Sequence, residues 1–177
     1  MAGSEQIVIS DTGPLLHLDE LGHLDLLKLF TLVEVPKEVI RELGVFRHNA
    51  IQHLPNNVHV YEVPCSKPPE LLQIASIIDL APGEVEAIAL SIVKGHVMVL
   101  CDDADARTVA IAMGIPVHGT IGILTLAMKN GLITHPEVET LIIELPIRTT
   151  LYTTQKLITQ SLESIKDWRK RHFPHHS

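Results

Sequence analysis

Short apolar runs that stop abruptly on acids or turn formers, alternating with longer stretches of helical spacing, constrain this chain more than any other feature. IVIS, residues 7 to 10, stops at Asp11, Thr12 and Gly13. The apolar run from Val97 to Cys101 stops at Asp102 and Asp103, with Asp105 two positions on. TLVEVP at 31 to 36 and VHVYEV at 58 to 63 read as further strands, and a fifth lies around Ile115 to Val117. Strands alternating with helices predict a parallel α/β sheet covered on both faces. Ligands in such sheets bind beyond the carboxyl ends of the strands. Asp11, Asp102 and Asp103 therefore belong at one rim, provided their strands are neighbours.

The helical stretches carry their own punctuation. Leucines from Leu15 to Leu29, interrupted at Gly22, predict two short helices. PKEVIREL begins with Pro36, which suits a first helical position, and meets a stop signal at Gly44. Residues 45 to 57 read as an irregular connection. A helix follows from about Glu70, and another runs from Pro82 to just before Gly95. Ala104 to Met113, Thr120 to Asn130 and Thr153 to Arg171 are predicted helices, and Thr134 with Glu137 forms a capping box before one more.

With 177 residues, 46% of them hydrophobic, the chain can bury one sizeable core, and it shows no repeat or second domain. Three Phe, two Tyr and one Trp leave that core to aliphatic residues. Two cysteines, Cys65 and Cys101, make no disulfide framework, and no basic and apolar leader opens the chain, so a cytoplasmic protein is expected. Val109 to Met128 lacks charge, but Gly114, Pro116, Gly119 and Gly122 divide it into helix, strand and helix rather than a membrane span. A net charge of −7 argues against a strongly basic nucleic-acid binder, though not against an enzyme whose metal ions bring positive charge locally. Eleven histidines raise the question of zinc, yet neither His-Glu-x-x-His nor Cys-x-x-Cys occurs, and the terminal HFPHHS reads as a solvated end.

Each acid has an ordinary structural role to set against a functional one. Asp11 can cap the helix that follows it, and Asp103 the helix near Ala104. Glu84 and Glu86 sit in a first turn, where the helix dipole favours them, and being two residues apart they point different ways. Glu38 is explained in the same manner. Glu42, near a helix end where negative charge is unfavourable, needs another reason, such as Arg41, Arg47 or a cation. Arg107 stands four residues after Asp103 and could pair with it, which leaves Asp102 as the acid with least structural excuse. Carboxylates crowded in one cleft repel, and hard cations such as Mg²⁺ or Mn²⁺ offset that. Two such ions are the usual apparatus of phosphodiester hydrolysis.

ISDTGPLLHLDELGHLDLLKLF, VEVPKEVIREL, APGEVEAIALS, CDDADARTVA and VHGTIGILTLAMKNGLI, in that order over residues 7 to 133, resemble the successive signatures of a PIN-domain protein. The likeness is to the prokaryotic VapC-like, toxin-related branch. It implies a PIN-like three-layer α/β/α fold with a mostly parallel central sheet. It also implies a Mg²⁺- or Mn²⁺-dependent endoribonuclease, with RNA as substrate and a small antitoxin protein as partner. By the same resemblance Asp11, Glu42, Glu84 and Asp102 are the catalytic and metal-binding acids, with Asp103 adjacent. Thr12 and Thr120 are secondary candidates, and Glu86 is an alternative register for Glu84. Residues 1–150 are assigned to the nuclease domain, and 151–177 to a C-terminal helix packed on it or extending it.

Two rival readings share these acids. A receiver or haloacid-dehalogenase-like phosphotransfer domain would place a second carboxylate beside Asp11, which SDTGPLL lacks. A non-catalytic PIN-like module that binds RNA or protein would need no intact acid set. The one basic stretch, KDWRKRH at 166 to 172, reads as a helix end whose cations suit the dipole while Trp168 packs. The leucine-dense stretch from Leu15 to Phe30 exceeds what one helix stripe needs, and a homodimer or a heteromeric complex through the apolar helices is expected.

Overall fold

The computed structural model describes residues 6–63 and 66–172; Cys65 and all but the first residue of the HFPHHS segment lie outside them. Five strands form one sheet: β1 (Ile7–Ser10), β2 (Leu32–Pro36), β3 (Val58–Tyr61), β4 (Val99–Leu100) and β5 (Val117–His118). Their order is β3-β2-β1-β4-β5 and every pairing is parallel. The sheet grows outward from β1 through β2 to β3, then returns to add β4 on the other side of β1. That reversal opens a crevice beyond the carboxyl ends of β1 and β4, which pair through Ile9 with Val99 and Ser10 with Leu100.

Side-chain alternation along the strands feeds two apolar layers. Val8, Val33, Val35 and Leu100 join one layer, while Ile9, Val99 and Cys101 join the other. The first layer is covered by α1 (Thr12–Leu21), α2 (Lys37–Phe46), α6 (Thr120–Lys129), α7 (His135–Arg148) and α8 (Gln155–His172). The second is covered by α3 (Pro69–Ile78), α4 (Pro82–Val93) and α5 (Ala104–Ala112). The result is a three-layer α/β/α sandwich with an all-parallel sheet. Ile158 and Ile165 of α8 are buried in the first layer, with Trp168 packed against it and stacked on His172 at 4.4 Å between ring centroids.

Local signals set most helix boundaries. Thr134 N donates to Glu137 Oε2 at 2.6 Å and Glu137 N to Thr134 Oγ1 at 3.4 Å, the reciprocal capping predicted for α7. Gly44 does not stop α2, because it keeps a right-handed backbone; the helix runs on to Phe46 and closes where Arg47 N donates to Leu43 O at 2.7 Å. The second leucine helix is a 3₁₀ turn, Leu24–Leu29, and another 3₁₀ turn, His48–His53, lies within the connection after α2.

The leucine surplus has an intramolecular explanation. Leu15, Leu18, Leu21, Leu24, Leu26, Leu27 and Phe30 are buried in the chain's own core, and Leu16 and Leu29 are partly buried against it. No helix among the described residues is long and apolar enough to cross a membrane.

Candidate active site

The crevice between β1 and β4 is a cleft of about 430 Å³. Asp11, Glu42, Glu84, Asp102 and Asp103 all line it, and among the described residues neither lysine nor arginine does. The four acids singled out in the sequence thus converge from four separate chain segments, and Asp103 joins them at the rim. Each is held by a different piece of scaffold.

Asp11 leaves β1 as the cap of α1, its Oδ1 accepting from Gly13 N at 3.0 Å. It is only 3% exposed. Burial raises its pKa well above the ordinary carboxylate value; the neighbouring Cys101 thiol partly offsets this, and the charges of Asp102 and Glu84 add to it. Thr12, the next residue, turns its hydroxyl to Glu42 Oε2 at 2.5 Å. Glu42 Oε1 accepts from Gly83 N at 2.8 Å, at the start of α4. The arginines considered for Glu42 are engaged elsewhere, Arg41 with Glu38 and Arg47 with Asp19. Glu42 near the end of α2 is therefore steadied by the amino end of α4, which answers why a negative charge stands there.

Glu84 reaches back to Ala81 N at 2.8 Å and lines the cleft. Its half-buried carboxyl is pushed up to about 7, first by desolvation, with Asp103, Glu42 and Asp105 adding repulsion. Glu86 points away, pairing with Lys67 at 3.1 Å beside a separate depression that includes Glu38 and Arg41. Between these two acids, Glu84 belongs to the cleft.

Asp102 has a fuller structural role than its sequence position suggests. Its Oδ1 accepts from Thr120 N at 2.7 Å and its Oδ2 from Thr120 Oγ1 at 2.6 Å, so it caps α6 across the crevice. His17 Nδ1 stands 2.8 Å from Oδ2. Asp103 caps α5 as predicted, accepting from Asp105 N and Ala106 N, both at 2.9 Å. Arg107 does not pair with Asp103; its Nη1 donates to Cys101 O at 3.1 Å.

His17 and two glycines were not singled out by sequence reasoning. A lone histidine on an apolar helix reads as a core residue, and its carboxylate partner is 85 positions away. The one available signal was its spacing, one turn after Gly13 on the same helix face. A Cβ on Gly13 would fall 3.3 Å from Asp102 Cβ and 3.5 Å from oxygens of both Asp102 and Asp11, so the bare backbone lets these acids approach. Gly83 makes the same allowance for Glu42, whose Cδ would lie 2.9 Å from an added Cβ.

The donor set is hard oxygen in excess of any positive charge, which fits Mg²⁺ or Mn²⁺ rather than zinc. Among the described residues no group of three or more His, Cys, Asp or Glu side chains is drawn together closely enough to hold an ion as placed. The hydrogen bonds explain this: Glu42 and Asp102 commit both oxygens to scaffold, and Glu84 commits one. The fit is one of charge and ligand type in an open site, suited to an ion that keeps several waters.

A family model for the PIN domain matches residues 7–167. The chain belongs to the PIN-domain family. PIN domains are generally nucleases and typically use divalent metals. The match extends past the motif-bearing region ending at residue 133, through α7 and most of α8, so the elements that close the first apolar layer are part of the PIN domain's matched length. Comparison with curated proteins gives no match.

Proposed function

We propose that this PIN domain is a Mg²⁺- or Mn²⁺-dependent endoribonuclease, the toxin of a toxin–antitoxin pair. The observation that carries the catalytic part is a crevice at the sheet's reversal point lined, among the described residues, by five carboxylates without lysine or arginine. Asp11, Glu42, Glu84 and Asp102 would hold the metal, with Asp103 at the rim. When bound, the metal neutralises these acids and stabilises charge developing on a phosphodiester. The chain's own residues orient and shield. Thr12 and Gly83 N aim Glu42, while Thr120 and His17 aim Asp102. Burial keeps Asp11 from bulk water.

On this reading residues 1–150 and the C-terminal helix form one cytoplasmic unit, and a small antitoxin covers the cleft. The exposed pair Ile143 and Ile147, one turn apart on α7, supports a homodimer better than the buried leucines do. Sedimentation showing a monomer at tens of micromolar, without partner, would remove the dimer. The separation of the acids, each tied to scaffold, favours a rival module that binds RNA without cutting it.

The two readings separate in one experiment. Bound Mn²⁺ at 100 times its dissociation constant should stabilise the fold by about 2.7 kcal/mol. Wild type should show that shift and cleave a mixed RNA, and Asp11→Asn should lose both. Neither shift nor cleavage in the wild type would leave the binding module as the survivor.

A further inference from the structure

Aromatic side chains are scarce here, so where they stand is informative. Phe30 is buried, Tyr61 lies under the Lys94 ammonium at 4.4 Å, and Trp168 packs on the core and stacks on His172. Among the described residues, Phe46 and Tyr152 are the strongly exposed aromatics, at 67% and 87%, and both line the acidic cleft. Leaving large apolar surface in water at two points of one cleft has no benefit to the fold.

Both rings stand on fixed backbone. Phe46 ends α2, and the next residue, Arg47, is ion-paired with Asp19 of α1. Tyr152 lies between α7 and α8 in a strap tied down on the α7 side. There Thr150 N donates to Glu20 Oε2 at 2.8 Å and Leu151 N to Thr149 Oγ1 at 3.2 Å. On the α8 side Leu157 N donates to Thr154 Oγ1 at 3.2 Å.

Tyr152 also walls a second depression, of about 390 Å³, which shares Asp102 with the cleft and contains Arg107 and His118. This neighbour holds the Arg107 guanidinium, where the cleft is lined by carboxylates. Burial holds His118 below its ordinary pKa, and the charges of Arg107 and Lys129 add to that effect. An acidic cleft, an exposed ring and a depression that presents the Arg107 guanidinium therefore follow one another across Asp102.

Resting on the nuclease reading above, we propose that Tyr152 is a stacking platform for a base of single-stranded RNA. The strand passes from the acidic cleft over Tyr152, setting its next phosphate beside Arg107 and His118, while Phe46 supports a base on the opposite side. Stacking accepts any base, so these are positioning residues rather than sequence readers.

The test uses fluorescence anisotropy of a short labelled single-stranded RNA on an Asp11→Asn background that does not cut. Tyr152→Ala should weaken binding roughly 5- to 150-fold, and Tyr152→Phe should restore it. An RNA abasic at the stacked position should bind the background as weakly as intact RNA binds Tyr152→Ala, with no further loss on combining the two. Arg107→Gln, which keeps a donor for Cys101 O, should lower the salt slope by about 0.7. Unchanged affinity in Tyr152→Ala overturns the platform while leaving the nuclease reading intact. A loss equal for intact and abasic RNA overturns it too, since the ring would then act through the fold. So does Tyr152→Ala altering self-association alone, which would make this face a protein contact. Wild type that neither binds nor cleaves RNA overturns both proposals.

Discussion

Gly83→Ala sets two effects against each other that geometry resolves. Gly83 lies in the first turn of α4 with ordinary helical backbone, so alanine there should stabilise by about 0.5–1 kcal/mol if nothing were in the way. An added Cβ, however, would press on Glu42 Oε2 and stand 2.9 Å from its Cδ and 3.0 Å from its Oε1. The carboxylate must swing out, giving up Gly83 N at 2.8 Å and Thr12 Oγ1 at 2.5 Å. A hydrogen bond to a charged group is worth about 1.5–3 kcal/mol, and the buried Gly83 N–H would be left without its partner. The half-buried glutamate recovers part of this from water, so the net loss is about 1 kcal/mol in the metal-free protein. For a chain of this size that lowers the melting temperature by about 2–4 °C. If Glu42 is a ligand, the stabilisation by Mn²⁺ and RNA cleavage should both fall by far more than this small fold effect explains. Glu42→Gln is the control, keeping an acceptor for Gly83 N while removing the charge; it should melt near wild type without metal and also lose the Mn²⁺ response. Melting curves with and without Mn²⁺, alongside cleavage rates, read all of this. A Gly83→Ala protein that melts above wild type and keeps its full Mn²⁺ shift would refute the reasoning, since Glu42 would then not depend on that contact.

Two further predictions address the other acids. Glu84 titrates near 7 in the fold against an ordinary 4.5, and Asp11 is shifted in the same direction, so both favour the protonated form when folded. Glu84's stabilising contribution is complete below about pH 4.5 and is lost as pH rises through about 7, and Asp11's is likewise lost with rising pH. The melting temperature of metal-free protein should fall over that window. Glu84's share is on the order of 1 kcal/mol once its half-exposure is discounted for solvent screening, and Glu84→Gln should flatten the curve by that amount. Thr120→Val removes the hydroxyl 2.6 Å from Asp102 at a fully buried position, so it should cost about 1.5–3 kcal/mol in chemical denaturation. Thr120→Ser, which keeps that hydroxyl, should cost clearly less; equal losses would mean the methyl rather than the hydrogen bond matters.

What the sequence determined by itself is what nearest neighbours along the chain decide. The period of the apolar residues set strand against helix, and the Thr134–Glu137 pair marked the start of α7 through contacts three residues apart. Asp11 and Asp103 could be assigned as caps because a cap bonds to amides two or three positions on. Gly44 misled for the same reason: a glycine stops a helix when its backbone turns left-handed, and here it does not. The order of the strands was settled only by packing, for nothing local says that β4 returns to lie beside β1 rather than extending past β3. From that choice follow the meeting of Asp11 with Asp102 and the capping of α6 by Asp102. Thr12 and Gly83 bind Glu42 from 30 and 41 positions away, and His17 reaches Asp102 across 85. The leucines whose number suggested an interface were absorbed when helices closed over the sheet, because burying them within the chain removes the same apolar surface from water as a partner would. Tyr152 came to the cleft only because α7 and α8 bring the strap between them across the sheet's rim, where backbone bonds to Glu20 hold it.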